Sequence, residues 1–312
     1  MYYLGCTSDK IWNYASLVQH LVKMQDNDLV IKLEPEAICL HNLGLYDLID
    51  SFQFRSVTIH TNNPLEQHPS YDIVHNPVDI WTHNRPTFDV TKHHTWNKSK
   101  RFMCLYGRPT AGRLGVGSYV SANYAEQAHI HYSFPVVNNE HNVELDKLLT
   151  YREASVADVA PLLAKMPIAL ESTERYTAYK GYDYNDPLTS YYQDIFVDLV
   201  VESHVVGNTF FPTEKIFRPM WLKKPFITFA SQDFNEYLVQ MGFRTFWEHW
   251  DESYDGYETR DRFTRVLALI DTIANKSVQE LEDMYNSMQD VLDHNYNVLA
   301  TKSYKTNITK VI

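Results

Sequence analysis

Short runs of branched and aromatic residues recur along this chain and alternate with stretches whose apolar positions fall at helical spacing. That alternation places the fold in the α/β class. Each run is of strand length, and none approaches the roughly 18 uncharged residues of a membrane helix. In the first series Tyr2–Leu4 reads as a short strand, and Ile11, Tyr14, Ala15, Val18, Leu21 and Val22 mark one helix face. Leu29-Val30-Ile31 is a second strand, 43–49 a short helix and Val57-Thr58-Ile59 a third strand. Strands joined by crossover helices predict a small parallel sheet.

Residues 61–98 break this rhythm. Asn62-Asn63-Pro64, Asn76-Pro77 and Arg85-Pro86 are turn formers, with His68, His75, His83, His93 and His94 between them. Breakers at that density predict loops and a boundary that divides the chain into domains 1–97 and 98–312. The second series opens with Phe102–Tyr106 as a buried strand and a helix carrying Val116, Val120 and Tyr124 on one face. Ile195–Val201 and Phe226–Phe229 are further strands, rich in branched and aromatic side chains. Helices follow. One carries Phe234, Leu238 and Met241 and stops at Gly242; the next carries Phe263, Val266, Leu267, Ile270 and Ile273. Ser277-x-x-Glu280 fits a capping box, opening a last helix that runs through Leu281, Met288, Val291 and Leu299.

With 44% hydrophobic residues among 312, the chain can build two ordinary cores. Its 39 acidic and 28 basic side chains leave a net charge of -11, which disfavours nucleic acid as a partner. Cys6, Cys39 and Cys104 lie far apart without zinc or disulfide spacing, and read as small buried hydrophobes of a reduced protein. The start lacks the basic flank and apolar stretch of a signal peptide. These features set the expectation of a cytoplasmic protein without a membrane span, in the host cytoplasm if the chain is viral.

The stretch richest in chemistry runs from Val200 to Ile227. After a strand come Glu202-Ser203, Asn208, and then Thr213-Glu214-Lys215. Thr213 is a good helix N-cap, and free N–H groups beside a lysine make a site for a diphosphate. A carboxylate in the same turn suits a sugar or ribose hydroxyl, since an ionised carboxylate only accepts hydrogen bonds. Pro219, six residues past the cap, should kink or shorten this helix. Without further knowledge, a capped surface helix with Glu214 and Lys215 facing water explains the same residues.

Phe211-Pro-Thr-Glu214-Lys215 resembles the Tyr-x-Thr-Glu-Lys motif of the fucosyltransferases in glycosyltransferase family ten, and Val201-Glu202-Ser203 stands where those enzymes carry Phe-Glu-Asn. Lys224-Pro225-Phe226-Ile227, Gly242-Phe243-x-Thr245-Phe246 and Asp251-Glu252-Ser253-Tyr254-Asp255 are similar to stretches of glycosyltransferase-like proteins of phages and marine bacteria. That group often has an arginine-bearing turn after a strand, as in Tyr106-Gly107-Arg108-Pro109 and Arg113. The likeness covers roughly residues 100–270. Pro212 and Ser203 replace residues usual in the family.

The resemblance implies two Rossmann-like domains facing a cleft, the GT-B architecture, with the nucleotide-sugar in the C-terminal domain and the acceptor in the N-terminal one. It implies that Lys215 and Arg113, or Arg108 in its place, hold the donor diphosphate. Glu214 would take a ribose or sugar hydroxyl, while Glu202, Asn208 and Thr213 shape the donor pocket. GDP-fucose is the family's donor, so a GDP-linked sugar is favoured. The expected activity is inverting transfer to a glycan or other hydroxyl acceptor. As negative charge grows on the leaving diphosphate, cations already fixed beside it stabilise the transition state more than the ground state.

With two cations and a helix start available, no metal is required. Asp26-Asn27-Asp28 formally fits the Asp-x-Asp metal motif of the other glycosyltransferase fold, but turn residues before a strand explain it better. His129-x-His131 and His93-His94 are too short to stand as metal sites. An inverting transfer needs a general base near the acceptor hydroxyl. Glu36, at the end of a predicted strand, is the first candidate and Glu66, just beyond another, the second, because ligands gather at the carboxyl ends of parallel strands. Tyr176, Tyr179, Tyr182, Tyr184, Tyr191 and Tyr192 offer flat faces for a sugar or base, or pack a loop among themselves. Two other readings stay open: a viral-type glycosyltransferase acting on DNA bases, and a nucleotide- or sugar-binding protein without turnover.

Overall fold

The computed structural model describes residues 1–7, 10–11, 13–34, 37–76, 89–107, 110–132, 156–166, 168, 170 and 186–301. The chain divides into two compact units, each with its own parallel-strand sheet: Met1–Asp79 with Val206–Phe211 and Tyr304–Ile312, and Ile80–Val205 with Pro212–Ser303. The first of these units ends its leading segment at Asp79, and it takes in Val206–Phe211 from the far half of the chain.

The first unit contains β1 (Tyr2–Thr7), β2 (Lys10–Ile11), α1 (Tyr14–Met24), β3 (Asp28–Glu34), α2 (Leu45–Asp50), β4 (Ser56–Thr61) and β5 (Asp72–His75). The sheet order is β2-β1-β3-β4-β5, parallel except for the short β2 at one edge. Leu4, Leu29, Ile31, Leu33, Val57 and Ile59 from one sheet face pack with Leu17, Leu21, Leu45 and Ile49 of the helices. Along β4 burial alternates residue by residue, as a sheet packed mainly on one face requires. β5 lies where the sequence predicted only loops. It is an edge strand with no fully buried residue, so it lacks the apolar signature used to find strands.

The second unit contains β6 (Phe102–Tyr106), α3 (Ala111–Asn123), β7 (Ala128–Tyr132), α4 (Val156–Leu163), α5 (Asp186–Thr189), β8 (Val197–Val201), α6 (Glu214–Trp221), β9 (Phe226–Phe229), α7 (Phe234–Gln240), α8 (Thr259–Ala274), α9 (Val278–Ser287) and α10 (Gln289–Thr301). Its four strands, in the order β7-β6-β8-β9, are all parallel. Every residue of β6, β8 and β9 is buried, which is why these strands read as largely apolar runs, broken only by Asp198 in β8 and Thr228 in β9. From β6 the chain moves outward to β7, then returns to the other side of β6 to form β8 and β9. The direction of winding therefore reverses between β6 and β8, and ligands of open α/β sheets gather at the carboxyl side of such a reversal.

These are features of a mixed α/β protein, compatible with a Rossmann-like fold. β7 was not recognised as a strand because His129 and His131 interrupt its apolar character. The capping box is present, with Glu280 N–H donating to Ser277 Oγ at 3.2 Å and Ser277 N–H to Glu280 Oε2 at 2.8 Å. The long last helix is instead two, α9 and α10, with Met288 between them.

Candidate functional site

Arg113 lies in the first turn of α3, the helix that follows β6, and is almost fully buried. Its Nε donates to the carbonyl of Val201, the last residue of β8, at 3.3 Å. The guanidinium thus spans the reversal between β6 and β8. Burial lowers its pKa, while Glu202 and Glu214 oppose that shift. The backbone of Arg113 is itself held from the sheet edge, where the buried Tyr132 hydroxyl donates to its carbonyl at 2.6 Å. Protein fills the space beside two glycines of α3: a Cβ at Gly117 would collide with the Tyr132 hydroxyl, and one at Gly112 would press on Phe229 and Val201 at 3.1 Å.

Glu202 directly follows β8 and is buried. Its Oε1 accepts the Thr213 N–H at 3.1 Å and its Oε2 the Thr213 hydroxyl at 2.6 Å. Thr213 caps α6 as predicted, accepting the Lys215 N–H at 3.4 Å, and its carbonyl accepts the Ile216 N–H at 3.2 Å. The N–H groups of Thr213, Lys215 and Ile216 are therefore engaged from within the protein. Glu202 thus places an anion at this helix start, beside the lysine to which the sequence reading assigned a diphosphate.

Lys215 closes the cluster. Its Nζ donates to Thr213 Oγ1 at 2.8 Å and to Glu214 Oε1 at 2.9 Å, and lies 3.6 Å from Glu202 Oε2. About a third of the Glu214 side chain is accessible, against 14% of Lys215. Burial works against the Glu214 charge, but Lys215 and then Arg218 outweigh it and hold the carboxyl at about 2. Glu214 is thus an ionised acceptor at neutral pH. Helix α6 is only eight residues long, with Pro219 inside it.

Arg218 was missed in the sequence, although it stands four residues beyond Glu214 on the same helix face. Its Nη1 donates to the Tyr192 hydroxyl at 3.4 Å, and that hydroxyl donates to Asp198 Oδ2 at 2.5 Å. Burial raises the Asp198 carboxyl to about 6, against the pull of Arg218. The buried His131 is lowered to about 4, by burial and then by Arg218. The Tyr191 hydroxyl donates to the Leu170 carbonyl, so both described tyrosines of the aromatic stretch are tied within the second unit.

The structure thus brings Arg113, Glu202, Thr213, Glu214 and Lys215 together within the second unit. Asn208 belongs to the first unit, where its carbonyl accepts Asn63 Nδ2 at 2.9 Å. Glu66, the second candidate for the general base, is buried, its Oε2 accepting Leu40 N–H at 3.0 Å and Asn63 Nδ2 at 3.1 Å, and its Oε1 the Tyr46 hydroxyl at 2.8 Å. With both oxygens engaged, this carboxylate organises the loop after β4. Glu36, Arg108 and Tyr176–Tyr184 lie outside the described residues. Asp28 is held by Arg55 and Ser56, and Asp26 occupies a left-handed turn. Among the described residues no group of three or more histidine, cysteine, aspartate or glutamate side chains is arranged to hold a metal ion. Nor, among them, is any helix long and apolar enough to cross a membrane.

No family model matches the sequence, and no curated protein matches it.

Proposed function

We propose that the second unit binds a nucleotide-sugar and that the protein is an inverting glycosyltransferase of GT-B architecture, with a GDP-linked donor favoured. One observation carries this reading: Arg113 from the turn after β6, Glu202 from the end of β8 and Glu214-Lys215 from the start of α6 converge where the parallel sheet reverses its winding. That is where open α/β sheets hold their ligands. Glu214, ionised and partly accessible, accepts ribose or sugar hydroxyls. Lys215 exchanges its carboxylate partners for the donor diphosphate, and Arg113 adds a fixed positive charge behind it. Charge growing on the leaving diphosphate then meets cations already in place.

The test is calorimetry with GDP, UDP and their sugars, followed by assays of donor hydrolysis and transfer. Binding of a nucleoside diphosphate with sugar release supports the reading; no binding of any of them rejects it. The engaged N–H groups of α6 favour a second reading, a protein that binds a sugar or nucleoside through Glu214 without turnover. Binding without hydrolysis or transfer selects that one.

A further inference from the structure

Arg113, Lys215 and Arg218 all act on the Glu214 carboxylate, and their hydrogen bonds set them apart from one another. Lys215 is committed: Nζ donates to Thr213 Oγ1 and Glu214 Oε1 and lies 3.6 Å from Glu202 Oε2. It can take up an anion only by giving up these partners. Arg113 is almost fully buried, with Nε on the Val201 carbonyl. Arg218, in the second turn of α6, is only partly buried. Among the described residues its guanidinium makes one hydrogen bond, from Nη1 to the Tyr192 hydroxyl at 3.4 Å. Most of its N–H fork is therefore unused.

The support behind Arg218 is built into the core of the second unit. The fully buried Tyr192 donates its hydroxyl to Asp198 Oδ2 at 2.5 Å, so the arginine is tied to a buried carboxylate through a phenol and not by direct pairing. Burial works against the Arg218 charge, but Tyr192, Asp198 and Glu214 outweigh it and raise the pKa. His131 of β7 is kept uncharged by burial and then by Arg218 itself, and its Nδ1 accepts the Leu170 N–H at 3.2 Å. Glu214 lies one turn back on the same helix face, and about a third of its side chain is accessible. The two residues thus set an acceptor beside a donor fork. A guanidinium grips a phosphoryl group through parallel N–H bonds, and an ionised carboxylate takes a hydroxyl.

We propose that Arg218 binds phosphoryl oxygens of the ligand directly, with Tyr192 and Asp198 steadying its guanidinium, while Glu214 takes a hydroxyl beside them. Every residue of this arrangement belongs to the second unit. The identity of the ligand as a nucleotide rests on the reading above; the phosphate contact does not.

The experiment is calorimetry of the full chain, Arg218→Lys and Tyr192→Phe with GDP and inorganic pyrophosphate, with urea denaturation of each protein. Arg218→Lys keeps the charge and loses the fork, and should weaken both ligands by about tenfold. Tyr192→Phe loses the same hydrogen bond but keeps the guanidinium, so it should cost stability and leave both affinities within about threefold. A purely structural Arg218 would lower the denaturation midpoint of Arg218→Lys while both ligands bound as tightly as to the original chain, and that result overturns the proposal. So does an equal loss of affinity in the two variants. Where Arg218→Lys does not fold, Arg218→Gln makes the same comparison and should lose at least as much affinity. Pyrophosphate binding that depends on Arg218, without any GDP binding, would uphold the phosphate contact and reject the nucleotide. GDP binding indifferent to Arg218→Lys would do the reverse, and a chain that binds neither ligand rejects both.

Discussion

Glu202 holds Thr213 twice, accepting its backbone N–H at 3.1 Å and its side-chain hydroxyl at 2.6 Å from a buried position at the end of β8. The pair joins the central strand of the second unit to the start of the helix that carries Glu214 and Lys215. Glu202→Gln keeps the shape but turns one acceptor into a donor facing a donor. It should destabilise the protein by about 1–3 kcal/mol in urea denaturation, the usual size of a spoiled buried hydrogen bond. An unchanged midpoint would show that Glu202 does not anchor the helix.

Lys215 and Glu214 contact each other at 2.9 Å and should nevertheless respond in opposite ways to substitution. On the proposed reading Lys215 is the cation that meets the diphosphate, so Lys215→Ala should weaken both GDP and inorganic pyrophosphate by about 10- to 100-fold. Glu214→Gln removes an acceptor for hydroxyls and frees Lys215. It should leave pyrophosphate binding intact or tighter while the preference for GDP over pyrophosphate falls. Equal losses for both ligands in both variants would refute the division of roles.

Gly117 and Tyr132 form a steric pair beneath Arg113. Gly117→Ala drives a methyl group into the Tyr132 hydroxyl and should cost about 1–3 kcal/mol, as overpacking does. Removing that hydroxyl with Tyr132→Phe makes room, so the double variant should be less destabilised than the sum of the single ones. A double-mutant cycle by denaturation reads the difference, and strict additivity would deny the contact.

Lys224 is fully buried, with Nζ donating to the Thr95 carbonyl at 2.7 Å and lying 5.3 Å from the centre of the Tyr285 ring. Burial brings its pKa from 10.5 down to about 7, against a weaker opposing pull from Asp194. Between those values the unfolded chain binds more protons than the folded one, so this group makes stability rise with pH across that window. Lys224→Met should flatten the rise. Urea midpoints of both proteins at about pH 7, 8.5 and 10 provide the check, and parallel pH curves would contradict it.

What could be read along the chain is what neighbouring residues settle among themselves. The apolar runs of β6, β8 and β9 announced their strands because both faces of a parallel sheet are buried, and the caps at Thr213 and Ser277 were visible because they act within three residues. The edge strands β5 and β7 escaped because half-buried, histidine-bearing positions carry no apolar signal. The candidate residues from Arg113 to Lys215 could be named along the chain, but their wiring to one another could not. That Glu202 satisfies the helix start, that Arg218 supports Glu214, that Glu66 is buried among donors and that Asn208 answers to Asn63 across 145 positions all depend on contacts made only when distant segments meet. Periodicity and capping are local and survive in a linear text. The partner of a buried charge is chosen by three-dimensional proximity and by the cost of leaving that charge unpaired, and only the folded chain decides it.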